Sequence, residues 1–351
     1  MSTSVPLTAV AGWAAGGATL AETGEADVLR RLVAAARERS APGLELPAGD
    51  DAAVWRPAPG LEVALSQDAI VEGKDFLRDW TTPRQLGRKA VVVALSDLAG
   101  MGAEPAWCTA SLCAPGSTRL GDVVEIQAGM LDALEAAGCA LAGGDVSDID
   151  GPLVIAVGIG GTLEPGQALR RDRGRPGDAL LVTGALGRAA AGLRLLRDSP
   201  GEARLLSAAE QAWIEAQVAP EARVSEGQAL VRLGAEAGGD ISDGLLADAT
   251  WLAEASGCSA ELWVDSLPVD ADLREAFGGA WAELALGGGE DFELLAAVRP
   301  EHLAALLAAW PAQLAPLTVV GRLGDGAGLT VLEREGGAPL PAPPVSSRHY
   351  G

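Results

Sequence analysis

Histidine is nearly absent from this 351-residue chain. Only His302 and His349 occur, so a mechanism built on a histidine acid or base has little to draw on. Cysteine is also scarce. Cys108, Cys113, Cys139 and Cys258 form no Cys-x-x-Cys pair and no zinc spacing; they read as small apolar core residues in a reducing cytoplasm. No apolar run approaches the roughly 18 residues needed to cross a bilayer. Lys and Arg number 26 against 48 Asp and Glu, a net charge of -22, which argues against nucleic acid or an anionic membrane as partner. The usual nucleotide signatures are missing. Gly73-Lys74-Asp75 fails a phosphate-loop pattern at its hydroxyl position, and Leu163 stands at the third glycine of a fingerprint opened by Gly158-Ile159-Gly160. There is no His-Arg-Asp kinase loop.

What the chain does have is a series of acidic motifs beside glycines and apolar runs. They are Gly49-Asp50-Asp51, Ser66-Gln67-Asp68, Ser96-Asp97, Gly143-Gly144-Asp145, Asp240-Ile241-Ser242-Asp243-Gly244 and Gly287-Gly288-Gly289-Glu290-Asp291. Each alone also reads as a turn, because Asp bonds its own backbone and Gly supplies positive φ. Ser96-Asp97 reads equally as a helix cap, and the Arg170–Arg175 cluster as a solvated loop. Taken in order, the set offers hard oxygen ligands of the kind magnesium takes together with substrate phosphates. Several such ions would turn an acidic cleft into an anion-binding one, and so reconcile the net charge with phosphoryl transfer.

Strand-like and helix-like segments alternate, which implies an α/β (α+β) layered architecture of about two domains. Helices are expected over residues 26–39, 85–98, 122–137, 229–237, 245–255 and 301–309, with another ending near Leu196. Strands are expected over 61–65, 106–112, 153–159, 179–183 and 317–320. Pro83 suits a helix start. Residues 1–22 read as a disordered tail, 23–165 as an N-terminal domain and 166–345 as a C-terminal domain, with a loose tail from Pro339.

The ordered motifs resemble thiamine-monophosphate kinase, of the aminoimidazole-ribonucleotide-synthetase-like fold group. The resembling blocks include Gly49–Val54, Ser66–Gly73, Leu86–Ala90, Leu95–Ala103, Gly143–Asp145, Pro176–Asp178, Ile241–Leu245 and Gly288–Leu295, spanning roughly residues 24–324. The resemblance implies two α/β domains, an N-terminal ATP- and magnesium-binding domain whose sheet forms a homodimer interface, and a C-terminal domain. It implies transfer of the ATP γ-phosphoryl group to thiamine monophosphate by direct in-line displacement with several Mg2+ ions. By motif position it makes Asp51, Asp97 and Asp145 the catalytic carboxylates. Asp51, Ser66, Gln67, Asp68, Asp97, Asp145, Asp240 and Asp243 become the metal set. Gly144, Asp145, Arg171 and Ser242 fall to ATP, and Asp75, Glu290 and Ser347 to the substrate.

Three positions depart from the family pattern. Gln67 stands where Thr is usual, Asp75 where a substrate-contacting His is frequent, and Ser346-Ser347-Arg348-His349-Tyr350 where an aromatic tail stacks on substrate. Other members of the fold group fit less well. The chain has no cysteine before Cys108, as selenophosphate synthetase requires, and none after Cys258, as the hydrogenase-maturation member requires. Aminoimidazole-ribonucleotide synthetase carries a Gly-Thr-Lys block where this chain has Val71–Asp75. A metal-dependent binding protein without turnover is the alternative of a different class.

Overall fold

A computed structural model describes residues 12–14, 16–198 and 205–343. They divide into two compact units. The first takes the described residues up to Leu98, Glu104–Pro165 and Leu205; the second takes Ala99–Ala103, residues 166–198 and the described residues from Leu206 onward.

The first unit opens with α1 (Leu20–Thr23) and α2 (Glu25–Arg37), then the short pair β1 (Leu44–Leu46) and β2 (Val54–Trp55). There follow β3 (Glu62–Val71), α3 (Pro83–Met101), β4 (Glu104–Ala114), α4 (Leu120–Ala136), β5 (Ala140–Asp148) and β6 (Val154–Leu163). The last four strands form a sheet in the order β3-β6-β4-β5. β4 and β5 run parallel, so α4 is the crossover that a parallel pair requires. α3 and α4 approach backbone to backbone. A Cβ at Gly87 would run into the Ile126 carbonyl, and one at Gly129 into that of Arg84. Buried Leu86, Val91, Leu95, Ile126, Met130 and Leu134 on these helices build the core. β3 alternates strictly: Ala64, Ser66, Asp68 and Ile70 are at least half-buried, whereas Val63, Leu65, Gln67 and Ala69 on the other face are exposed.

Part of the segment expected to be a tail is tied down. Trp13 Nε1 donates to the Thr81 carbonyl at 2.8 Å, and the Ala14 N–H donates to Asp122 Oδ1 at 2.7 Å. Thr19 and Glu22 form a reciprocal capping box at α1.

The second unit contains β7 (Ala179–Thr183), α5 (Arg188–Asp198), α6 (Ala208–Val218), α7 (Val224–Arg232), β8 (Ala237–Ile241), α8 (Leu245–Ala255) and β9 (Ser259–Trp263). It continues through α9 (Ala271–Phe277), α10 (Trp281–Gly287), β10 (Glu293–Val298), α11 (Pro300–Ala309), β11 (Leu317–Gly324), β12 (Gly328–Leu332) and β13 (Pro339–Leu340). Seven strands make one sheet in the order β13-β12-β9-β11-β7-β10-β8, antiparallel except at β12–β9. Both faces are buried. Leu180, Val182, Leu295 and Ala297 pack with Leu245, Leu246, Leu252 and Leu286 on one side. Their strand neighbours Ala179, Leu181, Leu294 and Ala296 pack with Leu169, Leu230, Ala235 and Leu306 on the other. Continuous apolar strands of this kind are what a sheet covered on both faces demands.

Several expected boundaries shift. The strand expected at 61–65 runs on to Val71, which places Ser66-Gln67-Asp68 inside a strand instead of at its end. Asp97 lies within α3, not at a cap. The helix expected over 229–237 stops at Arg232, because Gly234 adopts φ +87 and Ala237 already pairs with Ala297 of β10. Pro339 starts a two-residue strand on β12 instead of a loose tail. Among the described residues no helix is long and apolar enough to cross a membrane.

Candidate active site

In the first unit the loop between β1 and β2, strands β3 and β5, and α3 carry the acidic motifs. An open cleft of about 1240 Å3 is lined by Gly49-Asp50-Asp51, by Gly143-Gly144 of β5, by Arg30 and Arg37 of α2, and by Trp55 and Trp107. The two tryptophan rings meet edge to face at 6.4 Å. Gly144 is glycine because β4 runs alongside, and a Cβ there would run into the Ala110 carbonyl. Asp145, next along β5, is exposed and accepts a 2.6 Å hydrogen bond from Ser147 Oγ.

β3 and α3 bring a second pair together. Ser66 Oγ donates to Asp97 Oδ2, so two residues 31 apart in sequence share one point. Asp68 projects from the same face of β3 as Ser66, while the Gln67 side chain lies on the opposite, exposed face. The Gln67 side chain is therefore turned away from that pair. Asp75 is engaged locally: its Oδ2 accepts the Val71 N–H at 2.8 Å and braces the turn after β3.

The second unit holds a more buried group. Asp240, one residue before the end of β8, is 4% exposed, and Arg171, on the 3-10 turn Arg171–Arg173, reaches its Oδ1 at 3.7 Å. The same guanidinium lies 5.7 Å from the Trp251 ring. Ser242 and Asp243 follow, and Gly244 opens α8 with φ +104 against the Gly288 carbonyl. One turn into α8, Asp248 is 2% exposed and its Oδ2 accepts the Asp243 N–H at 3.1 Å. Burial, reinforced by the charges of Asp240 and Asp243, pushes the Asp248 carboxyl up to about 8. Its Oδ1 is buried with no hydrogen-bond partner among the described residues.

The Glu290 segment is stitched to this group. The Glu290 N–H donates to the Ser242 carbonyl at 2.8 Å and the Phe292 N–H to that of Ile241 at 3.0 Å. Glu290 (φ 66) and Phe292 (φ 49) are the two non-glycine residues with positive φ among those described, a conformation that costs energy and concentrates at functional sites. Between them, half-buried Asp291 accepts the Gly187 and Ala189 N–H groups at the start of α5, at 2.6 and 3.1 Å. Burial outweighs these donors and pushes its carboxyl up to about 7.

The donors are carboxylate and hydroxyl oxygens throughout, and the orphaned Asp248 oxygen beside two further carboxylates is the environment a hard cation relieves. The donor set therefore fits magnesium in its chemistry. It does not form a closed cage: among the described residues no three His, Cys, Asp or Glu side chains converge on one point. Ser347 and the tail around Tyr350 lie outside the described residues.

Two family models match the chain, the N-terminal domain of AIR synthase related protein over residues 49–163 and its C-terminal domain over residues 175–333. The thiamine-monophosphate kinase of Bacillus subtilis (strain 168) is 34% identical over 278 residues, covering 79% of this chain and 85% of that protein. The chain belongs to the thiamine-monophosphate kinase family. Among solved structures, the family member from Stenotrophomonas maltophilia K279a is 36% identical over 87% of this chain and 95% of its own, with a TM-score of 0.78. AaThiL complexed with AMPPCP and TMP is 32% identical over 88% of this chain and 94% of its own, with a TM-score of 0.70.

Family motifs do not point to every residue in these groups. Trp55, Trp107, Arg30 and Arg37 line the first-unit cleft without belonging to any acidic motif. Asp248 reads in sequence as one polar residue on an otherwise apolar helix; the signal that could have found it is its place one turn after the Ser242-Asp243-Gly244 turn. Gln217, which donates to Glu290 Oε2 from 73 residues away, carries no sequence signal.

Proposed function

We propose that this chain transfers the γ-phosphoryl group of ATP to thiamine monophosphate, forming thiamine diphosphate and ADP. The observation that supports this most is the complex of AaThiL, alike over 88% of the chain, with the ATP analogue AMPPCP and with TMP. In our reading an acceptor phosphate oxygen forms a bond to the γ-phosphorus as the bond to the β–γ bridging oxygen breaks in line with it. Catalysis of such a transfer is mostly positioning and charge stabilisation.

Asp51, Ser66, Asp68, Asp97 and Asp145, with the Gln67 backbone, would hold magnesium in the first unit, and Asp240 and Asp243 in the second. When bound, the ions supply the positive charge that lets two phosphates approach within a net -22 protein. Asp51, Asp97 and Asp145 act as the catalytic carboxylates by fixing that charge. Gly144, Asp145, Arg171 and Ser242 would contact ATP, and the planar Arg171 guanidinium suits phosphate oxygens. Glu290 would face the cationic thiamine moiety, with Asp75 and Ser347 as the remaining substrate positions. We further propose a cytoplasmic homodimer formed through the exposed face of β3, where Val63 and Leu65 are 47% and 67% exposed. Apolar side chains in a row on a strand face mark an interaction surface.

The test is direct. Purified protein incubated with ATP, thiamine monophosphate and Mg2+ should yield thiamine diphosphate and ADP in equal amounts by chromatography, and neither when chelator replaces Mg2+. Absence of thiamine diphosphate with all three present overturns the reading.

A further inference from the structure

We infer that Gln217 is a positioning residue that sets the acceptor end of the site by orienting the Glu290 carboxylate. The inference rests on the reading of Glu290 as the acceptor-facing carboxylate. Gln217 lies in the last turn of α6 and is only 5% exposed. A buried primary amide is costly unless hydrogen-bonded, and this one donates through Nε2 to Glu290 Oε2. The backbone on either side of that carboxylate is fixed as well. Glu290 and Phe292 hold strained positive φ, Asp291 is anchored on the start of α5, and two N–H groups tie the segment to Ile241 and Ser242.

The chemistry of the partner is what suggests a role in recognition. An arginine or lysine donor would orient a carboxylate and also neutralise it. An amide donor orients without adding positive charge, so its contribution leaves Glu290 attractive to a cationic ligand. Two arginines on neighbouring elements form pairs of their own. Arg223 forms a two-pronged pair with Glu293 at 2.8 and 2.8 Å, and Arg188 one with Asp270 at 2.7 and 2.8 Å.

The test compares Gln217→Met, which keeps volume and removes the donor, with Gln217→His, which restores an N–H donor, and with Glu290→Gln. Steady-state kinetics with ATP and thiamine monophosphate and a thermal melt are measured for each. Gln217→Met should raise the KM for thiamine monophosphate about tenfold, the usual scale for losing a hydrogen bond to a charged group. The KM for ATP and the melting temperature should stay near wild type, and Gln217→His should recover most of the loss. The double variant Gln217→Met/Glu290→Gln should be no worse than Glu290→Gln alone. If Glu290→Gln raises the acceptor KM while Gln217→Met does not, the inference fails and the reading of Glu290 stands. If Gln217→Met raises both KM values together with a lower melting temperature, its role is structural and the inference also fails. If Glu290→Gln leaves the acceptor KM unchanged, the reading of Glu290 itself fails, and the inference with it.

Discussion

The carboxylates of the two units are built differently. In the first, Asp51 and Asp145 are exposed and Asp97 is half-buried, and the partners of Asp97 and Asp145 are the hydroxyls of Ser66 and Ser147. In the second, Asp240 and Asp248 are 4% and 2% exposed, and Asp291 and Glu293 are anchored on backbone N–H groups and an arginine. Exposed carboxylates stay hydrated until a ligand arrives, so the fold carries little of their cost. Buried ones have lost that hydration in the folded chain, and each needs donors, a cation or a proton in compensation. On the proposed reading the first unit therefore leaves order to be supplied by metal and nucleotide, whereas the second arrives preorganised. Substitutions should separate activity from stability along that line.

The largest effect is expected in the first unit, on turnover alone. Asp97→Asn and Asp145→Asn should each lower kcat by about a hundredfold or more, the scale for removing one charge-stabilising group from a phosphoryl-transfer site. Their circular dichroism and melting temperatures should match wild type. Near wild-type turnover in both variants would remove the catalytic assignment and the contrast with it.

In the second unit stability should move. Arg223→Met leaves Glu293, 3% exposed, without its forked partner. An uncompensated buried charge of this kind costs about 3–5 kcal/mol, read as a lower urea midpoint at unchanged slope. The matching experiment in the first unit is Arg56→Ala, which removes the exposed pair with Glu45 at 2.6 Å and should produce no measurable shift. Equal effects in the two variants would break the comparison.

The same division marks what could be read from sequence. The apolar periodicity of residues 245–255 and 179–183 matches the observed bounds of α8 and β7, because β7 is buried along its whole length and α8 keeps a buried apolar face of Leu245, Leu246, Ala249, Leu252 and Ala253. β9, β10 and β12 were not anticipated. Short apolar strands such as β10, Glu293–Val298, cannot be told from buried helix segments by periodicity, and pairing with β7 and β8 decides them. The acidic motifs of the site were legible because glycine and aspartate stand next to one another in the chain. Their support was not: Gln217 reaches Glu290 across 73 residues, and Asp248 looks like any polar position on an apolar helix until its burial beneath the Asp243 turn is known.

Asp248 offers the finest test of the contrast, through pH. Its folded carboxyl is raised to about 8 from an ordinary 3.8, by burial first and then by Asp240 and Asp243. Below about 4 both folded and unfolded chains carry the proton, and the stabilisation from holding it is fully present. As pH rises from about 4 to 8 the unfolded chain releases the proton while the folded one keeps it, so stability falls, by at most about 1.4 kcal/mol per pH unit. Above 8 both forms are ionised and the loss is complete. Asp248→Asn keeps an oxygen to accept the Asp243 N–H and cannot titrate. In metal-free protein, with chelator present, the melting temperature of the wild type relative to Asp248→Asn should therefore drop steadily between pH 5 and 8. Adding Mg2+ should flatten the drop, because a cation near the ionised carboxylate replaces the proton as its counter-charge. Parallel curves for the two proteins without metal would mean that this carboxylate is hydrated or paired after all, and that the second unit is no more preorganised than the first.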